Sequence, residues 1–252
     1  MSARLGHVLA FISLCLICPA LLHADAKWES LDFITEELPP YNYTESGIAR
    51  GIAVDILLEA AAGAGLPIAR RDIRSLPWAR GYQMVKKGPG VLLFSMARTD
   101  ERGPQFKWVG PIMANRIVLL ARKDRQLQIT QPADLSAYRI GVIRDDIGHQ
   151  LVNRLGVNDS QLQISASAIQ LANLLHNSRI DLWAYDETTA YWFIRNLDLD
   201  SHNFTPVHVL KEGEMYFAFS MDTNAAQLLR LQHGLNALKQ QPRYLEILDS
   251  YK

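Results

Sequence analysis

Two arginines stand four residues apart in SMARTDER, Arg98 and Arg102, directly after the apolar run VLLF at 91–94. A cation at the end of a buried strand needs either water or an anion. A guanidinium offers a carboxylate two parallel hydrogen bonds, and charge-assisted bonds of this kind are the strong ones. Thr99 is placed to cap the short turn ahead of Arg102 and to turn backbone N–H groups toward the same anion. The plainer alternative for Arg102 is a surface ion pair with Asp100 or Glu101. Arg98 is open between two roles. It is a second cation beside the first, which would favour an acidic or dicarboxylate ligand, or it lies along the surface on its own stem. A charge of opposite sign ends the stretch IDLWAY: Asp186, followed by a helical pattern. It stands where an Asp can cap that helix, at the carboxyl end of a strand where α/β folds place ligands.

Other chemistries have little to stand on. The only cysteines are Cys15 and Cys18. The histidines at 149, 176, 202, 208 and 233 show no metal-ligand spacing, so no metal or cofactor is expected. Neither a G-x-S-x-G elbow nor a Walker loop occurs. Lys plus Arg (26) balance Asp plus Glu (26), so no basic excess supports nucleic-acid binding. At 252 residues and 48% hydrophobic, the chain can bury one large or two small cores.

The elements that must position these groups alternate. Residues 1–26 read as a cleavable secretory signal: Arg4, an apolar core over 8–22, then Ala24-Asp25-Ala26. Cys15 and Cys18 lack the small preceding residue of a lipoprotein anchor. Strands are expected at 31–35, 68–73, 91–94, 139–143, 162–165 and 181–185. Helices are expected at 51–65, 78–87, 147–155, 169–177 and 187–196. Shorter extended pieces fall at 107–112, 116–121, 207–210 and 215–220. The tail, 225–240 and 243–251, is helical and broken at Pro242. Alternation of this kind implies mostly parallel sheets covered by helices, and two such runs imply two α/β lobes. The joints fall near 113–116 and 211–215.

Four stretches taken in order resemble the periplasmic solute-binding proteins of the polar amino-acid type, extracellular solute-binding family 3. They are ITEELPPYNY with GIARGIAVDILLEA, then SMARTDER, SRIDLWAYDETTAYWF and LNALKQQPRYLEILDSY. LPPYNY, LPWARG and FKWVGPI set the chain in a branch of its own. The resemblance implies the two-lobed type II fold, each lobe a mostly parallel sheet flanked by helices, joined by two crossing strands. Lobe 1 would be 27–114 plus 213–252 and lobe 2 would be 115–212, closing on a ligand by hinge motion.

By the same resemblance, Arg102 holds a ligand α-carboxylate, Asp186 takes the α-ammonium, and Ser95 offers a hydroxyl or backbone contact. Arg144, with Asp145 and Asp146, stands where the family has small or hydroxylated residues, so an ordinary neutral amino acid is a less secure ligand. Ala97 replaces a contacting serine. Leu38 stands where an aromatic platform is usual, leaving Tyr41, Tyr43 or Trp78 to supply a ring. Trp108, Trp183 and Trp192 are expected to pack in the core. The implied function is periplasmic capture of an amino acid or related carboxylate for an ABC importer, by a monomer without cofactor. A periplasmic dehydratase acting on prephenate or arogenate shares the fold. It would need a general acid, for which Glu36, Glu37 and Asp145 are available. A ligand-sensing module for a membrane partner is the third reading.

Overall fold

The computed structural model describes residues 28–251; the leader read at 1–26 lies outside them. Among the described residues, ten strands and seven α-helices follow one another. The first lobe opens with β1 (Asp32–Thr35), a hairpin of β2 (Tyr43–Glu45) and β3 (Ile48–Arg50), and α1 (Ile52–Gly63). It continues with β4 (Ile73–Ser75), α2 (Trp78–Lys87) and β5 (Val91–Ala97). A long strand β6 (Lys107–Arg122) leads to β7 (Ile140–Ile143), α3 (Ile147–Arg154), β8 (Leu162–Ser165) and α4 (Ala168–His176). Then come β9 (Leu182–Asp186), α5 (Glu187–Asn196), a second long strand β10 (Phe204–Phe219), and the tail helices α6 (Ala225–Lys239) and α7 (Pro242–Asp249).

The main sheet has the order β4-β1-β5-β10-β6-β9-β7-β8. β1 runs parallel to β4 and β5, and β7 runs parallel to β8 and β9. Between these parallel triplets lie β6 and β10, antiparallel over their whole length from Phe204↔Arg122 to Phe219↔Lys107. The four shorter extended pieces expected from sequence are therefore two continuous strands. Their middles carry Asn115, Arg116, Lys211, Glu212 and Gly213, residues without an apolar face because little sheet covers them where the lobes part. A strand was also expected over 68–73. Instead Arg70–Asp72 forms a 3-10 turn, with the Ala69 amide donating to Asp72 Oδ2 at 3.2 Å, and the strand begins at Ile73. Three successive charged residues have no apolar alternation to keep them in a sheet.

Register fixes where a site can form. Ala97, the last residue of β5, pairs with Met215, which pairs with Met113 of β6. Asp186, the last residue of β9, pairs with Ile117. The carboxyl ends of both parallel triplets thus meet at the crossing, only four residues apart along β6, about 13 Å of strand. That is where α/β sheets place ligands.

Two glycines shape the first lobe. Gly51 precedes α1 with φ +116, and a Cβ there would lie 2.4 Å from the Tyr41 carbonyl, so only glycine lets the first loop fold onto the helix. Gly234 of α6 faces Ala60 of α1, where a Cβ would come within 2.2 Å of the Ala60 carbonyl. The tail docks further through the Tyr251 hydroxyl, which donates to Asp55 Oδ2 at 2.8 Å. Buried Ile34, Val54, Leu57, Leu92, Phe217 and Leu235 fill the lobe's core.

Candidate functional site

Arg102 is 1% exposed. The turn that delivers it is held by Thr99, whose Oγ1 accepts from the Arg102 amide at 3.2 Å and whose carbonyl accepts from Gly103 at 2.7 Å. The guanidinium carbon lies 5.3 Å from the ring centroids of both Trp78 and Tyr82. Nη1 donates to the Ala97 carbonyl and Nη2 to the Asp145 carbonyl, both at 3.3 Å, and Nε has no partner. Burial lowers its pKa, opposed by the nearby Asp146 carboxylate. An arginine remains charged all the same. The surface pair with Asp100 or Glu101 is not formed; Glu101 pairs with Arg154 at 2.5 Å.

Asp186 takes the helix-cap role. Oδ1 caps α5 by accepting from the Thr189 amide at 2.9 Å. Oδ2 accepts no hydrogen bond of normal geometry, although Asp186 is 3% exposed. Burial pushes its pKa up to about 6, against the pull of the Thr189 amide. Tyr41, buried in the first loop, brings its hydroxyl beside Asp186 and Thr188, and burial with that negative neighbour raises its pKa.

Asp186 lines an inner cavity of about 20 Å³ together with Glu36, Ser95, Asp146, Tyr185 and Trp78. This is room for about one water, so the lobes are closed on each other. Ser95 Oγ is buried without a partner, and its backbone holds φ +51, a strained conformation for a serine. Glu36 and Asp146 are both pushed above the usual carboxylate range by burial first, with Arg102 pulling the other way. Asp146 stands at the N-cap of α3 without a side-chain capping bond of normal geometry, though the Ile147 and Gly148 amides favour its charged form. Asp145 turns through φ +60, and its amide donates to His149 Nδ1 at 3.2 Å. This turn aims the Asp145 carbonyl at Arg102. His149 is therefore half-buried and structural rather than an exposed helix residue.

A second, outer cavity of about 650 Å³ lies against the first and shares Glu36, Trp78 and Tyr185 with it. Tyr43 lines it, with its ring centroid 6.0 Å from that of Trp192 on the opposite lobe. Trp192 packs against the core as expected, but it is only half-buried and also lines the chamber. Trp183 is fully buried and stacks on Tyr185.

Of the eight residues singled out from sequence, Asp186, Ser95 and Trp78 line the inner cavity, Arg102 and Tyr41 lie behind its lining against Trp78 and beside Asp186, and Tyr43 lines the outer one. Arg98 and Arg144 do not join them. Arg98 is exposed and lies 5.7 Å from the rings of Trp108 and Tyr216, on a separate surface depression near the strand crossing. Arg144 is exposed and lines neither cavity; its amide donates to the Ser165 carbonyl at 3.0 Å. Asp146, Tyr185 and Asn115 were not read as ligand-facing. Asp146 and Tyr185 carry the positional signal that picked out Asp186, the carboxyl end of a parallel strand.

The family model of bacterial extracellular solute-binding proteins, family 3, matches residues 33–252. The chain belongs to that family. A search of curated protein sequences finds no match. Among solved structures, it is similar to a histidine kinase sensor domain resembling periplasmic binding proteins (TM-score 0.76, 20% identity, 88% of this chain and 95% of that one). It is similar to an ancestral arginine-binding protein bound to arginine (TM-score 0.72, 17% identity, 86% and 96%). A third is an ABC uptake transporter substrate-binding protein from Streptococcus pneumoniae with bound histidine (TM-score 0.76, 16% identity, 90% and 96%). At these identities the likeness establishes the two-lobed α/β fold. Among the described residues, no helix is long and apolar enough to cross a membrane, and no group of three or more His, Cys, Asp or Glu could hold a metal.

Proposed function

We propose that this protein captures a small amino-group-bearing solute, an amino acid or a close relative, between its lobes and delivers it to an ABC importer from the periplasm. The observation that carries this reading is the pair of unpartnered buried atoms at the crossing, Asp186 Oδ2 and Ser95 Oγ, facing a closed interlobe cavity. A buried acceptor left unmade costs about 1–3 kcal/mol, and a ligand donor repays it. Asp186 Oδ2 accepts the ligand's ammonium. Arg102 receives a carboxylate once the cleft opens and the Asp145 carbonyl withdraws; its 3.3 Å bonds are long for charge-assisted ones and easily exchanged. The lobes are 27–114 with 213–252, and 115–212, and the hinge runs through the centres of β6 and β10. The protein acts as a monomer and needs no cofactor.

A sensory role is the second reading, favoured by the likeness to a kinase sensor domain. The same cleft would then report its occupancy to a membrane partner.

A thermal-shift screen over amino acids, amines and dicarboxylates tests the proposal. Amino-group ligands should raise the melting temperature and be recovered unchanged, since a ligand of the folded state alone stabilises it. A rise confined to dicarboxylates, or turnover of the ligand, would contradict it.

A further inference from the structure

Resting on that reading, the outer cavity narrows the ligand class. The inner cavity holds about one water, whereas the outer one, about 650 Å³, is far larger than an aliphatic amino acid side chain needs. We infer that the outer cavity receives the body of the ligand, and that this ligand is a net-cationic, ring-bearing amine.

Three features argue for this class. The first is the wall. Tyr43, Trp78, Tyr185, Trp192 and Phe193 supply aromatic rings from both lobes, so closing the cleft brings rings to both sides of the guest. Ring faces attract organic cations and pack against other rings. The second is charge. Among the described lining residues of the outer cavity there is no Lys, Arg or His, while Glu36 and Glu37 both face it. Glu37 is fixed by the Thr44 amide at 3.0 Å, Thr44 Oγ1 at 2.8 Å and Ser75 Oγ at 2.6 Å. Deeper in, Glu36, Asp146 and Asp186 line the inner cavity, and no Lys, Arg or His does among the described residues. Burial favours the neutral forms of these carboxyls; a bound cation draws them back to the charged form, whereas the carboxylate of a zwitterion or an anion opposes it.

The third feature points to a ligand directly. Asp186 Oδ2 and Ser95 Oγ lie beyond Glu36, each in a residue more than nine-tenths buried, and neither makes a hydrogen bond of normal geometry. An ammonium supplies a donor to both kinds of atom. The ligand therefore lies with its amine at the inner acids and its ring past Glu36, between Tyr43 and Trp192. Arg98, the residue that would have argued for a dicarboxylate, is on the outside and adds no positive charge to either cavity.

Titration calorimetry of the purified protein with tryptamine, L-alanine and L-glutamate tests this. Tryptamine should bind at least about tenfold more tightly than L-alanine, and L-glutamate should not bind. Glu36→Gln and Trp192→Ala should each weaken tryptamine about fivefold or more while leaving the melting temperature of the free Glu36→Gln protein no lower. Equal or tighter binding of L-alanine or L-glutamate, absence of tryptamine binding, or unchanged tryptamine affinity in both variants would overturn the inference. In those cases amino-acid binding elsewhere in the screen would leave the solute-binding reading standing. Only the failure of every amino-group solute would remove both.

Discussion

Arg102 and Asp145 belong to opposite lobes, and a hydrogen bond of 3.3 Å from Arg102 Nη2 to the Asp145 carbonyl joins them across the cleft. The guanidinium is rooted in the first lobe by Trp78 and Tyr82, and the carbonyl is presented by a left-handed residue of the second. Closure thus has a polar centre at Arg102, which in the proposed function a ligand carboxylate enters by exchange.

Replacing Arg102 with Ala should weaken a carboxylate-bearing ligand by about 2–5 kcal/mol, because it deletes one partner of a buried charge pair. Arg102→Lys should recover part of that loss, since an ammonium keeps the charge but not the fork. Calorimetry with the tightest amino acid from the screen reads both. Unchanged affinity in the alanine variant would remove Arg102 from the site.

Asp186 makes stability and binding respond to pH in opposite directions. Burial holds its pKa at about 6 against an ordinary 3.8. Between those values the folded chain holds the proton that the unfolded chain releases. This contribution to stability is therefore full below about pH 4 and lost as pH rises through about 6, a swing of about 3 kcal/mol. Glu36 and Asp146 shift in the same direction. Asp186→Asn should gain melting temperature relative to wild type as pH rises from 4 to 7. An ammonium ligand needs the charged form, so wild-type affinity should strengthen over that same interval and the variant's should not. Parallel pH profiles in the two proteins would refute the role.

Ser95 combines a strained backbone with an unpartnered hydroxyl. Glycine relieves a left-handed conformation that costs other residues about 1–2 kcal/mol. Ser95→Gly should therefore leave the free protein at least as stable in urea while weakening ligand binding by about 1 kcal/mol. Lower stability with unchanged binding would assign Ser95 to the fold alone.

Gly234→Ala tests the docking of the tail. The added methyl meets the Ala60 carbonyl of α1 at 2.2 Å, so the helices must separate. A loss of about 1–3 kcal/mol in urea unfolding is expected, with ligand affinity preserved because the contact lies outside the cleft.

Much of this architecture could be read in the residues. Trp78–Lys87 and Glu187–Asn196 were legible to the residue because a proline or an aspartate opens each and the periodicity between is unbroken. The crossing strands were not. Their central residues face no buried layer, so the alternation that marks a strand lapses at Asn115–Arg116 and again at Lys211–Gly213. The hairpin of β2 and β3 was hidden in the first loop. Its turn, Ser46-Gly47 with φ +51 and +77, is the two-residue kind that hairpins favour, but its strands are three residues long.

The site was half legible for a related reason. Arg102 and Asp186 are legible as charged residues that follow apolar runs. Arg98 and Arg144 carry the same mark, and only the direction of the backbone sends their side chains outward. Asp146 stood in the sequence as one of two acids beside Arg144. Its place near Arg102 depends on the turn at Asp145, which no local pattern reveals.

The most direct test is a crystal structure of the protein with the tightest amino-group ligand from the screen. The ligand nitrogen should lie about 3 Å from Asp186 Oδ2, between the two lobes, with the body of the ligand in the chamber walled by Tyr43 and Trp192. A ligand bound on an outer face, or in the cleft with its nitrogen turned away from Asp186, would contradict the account.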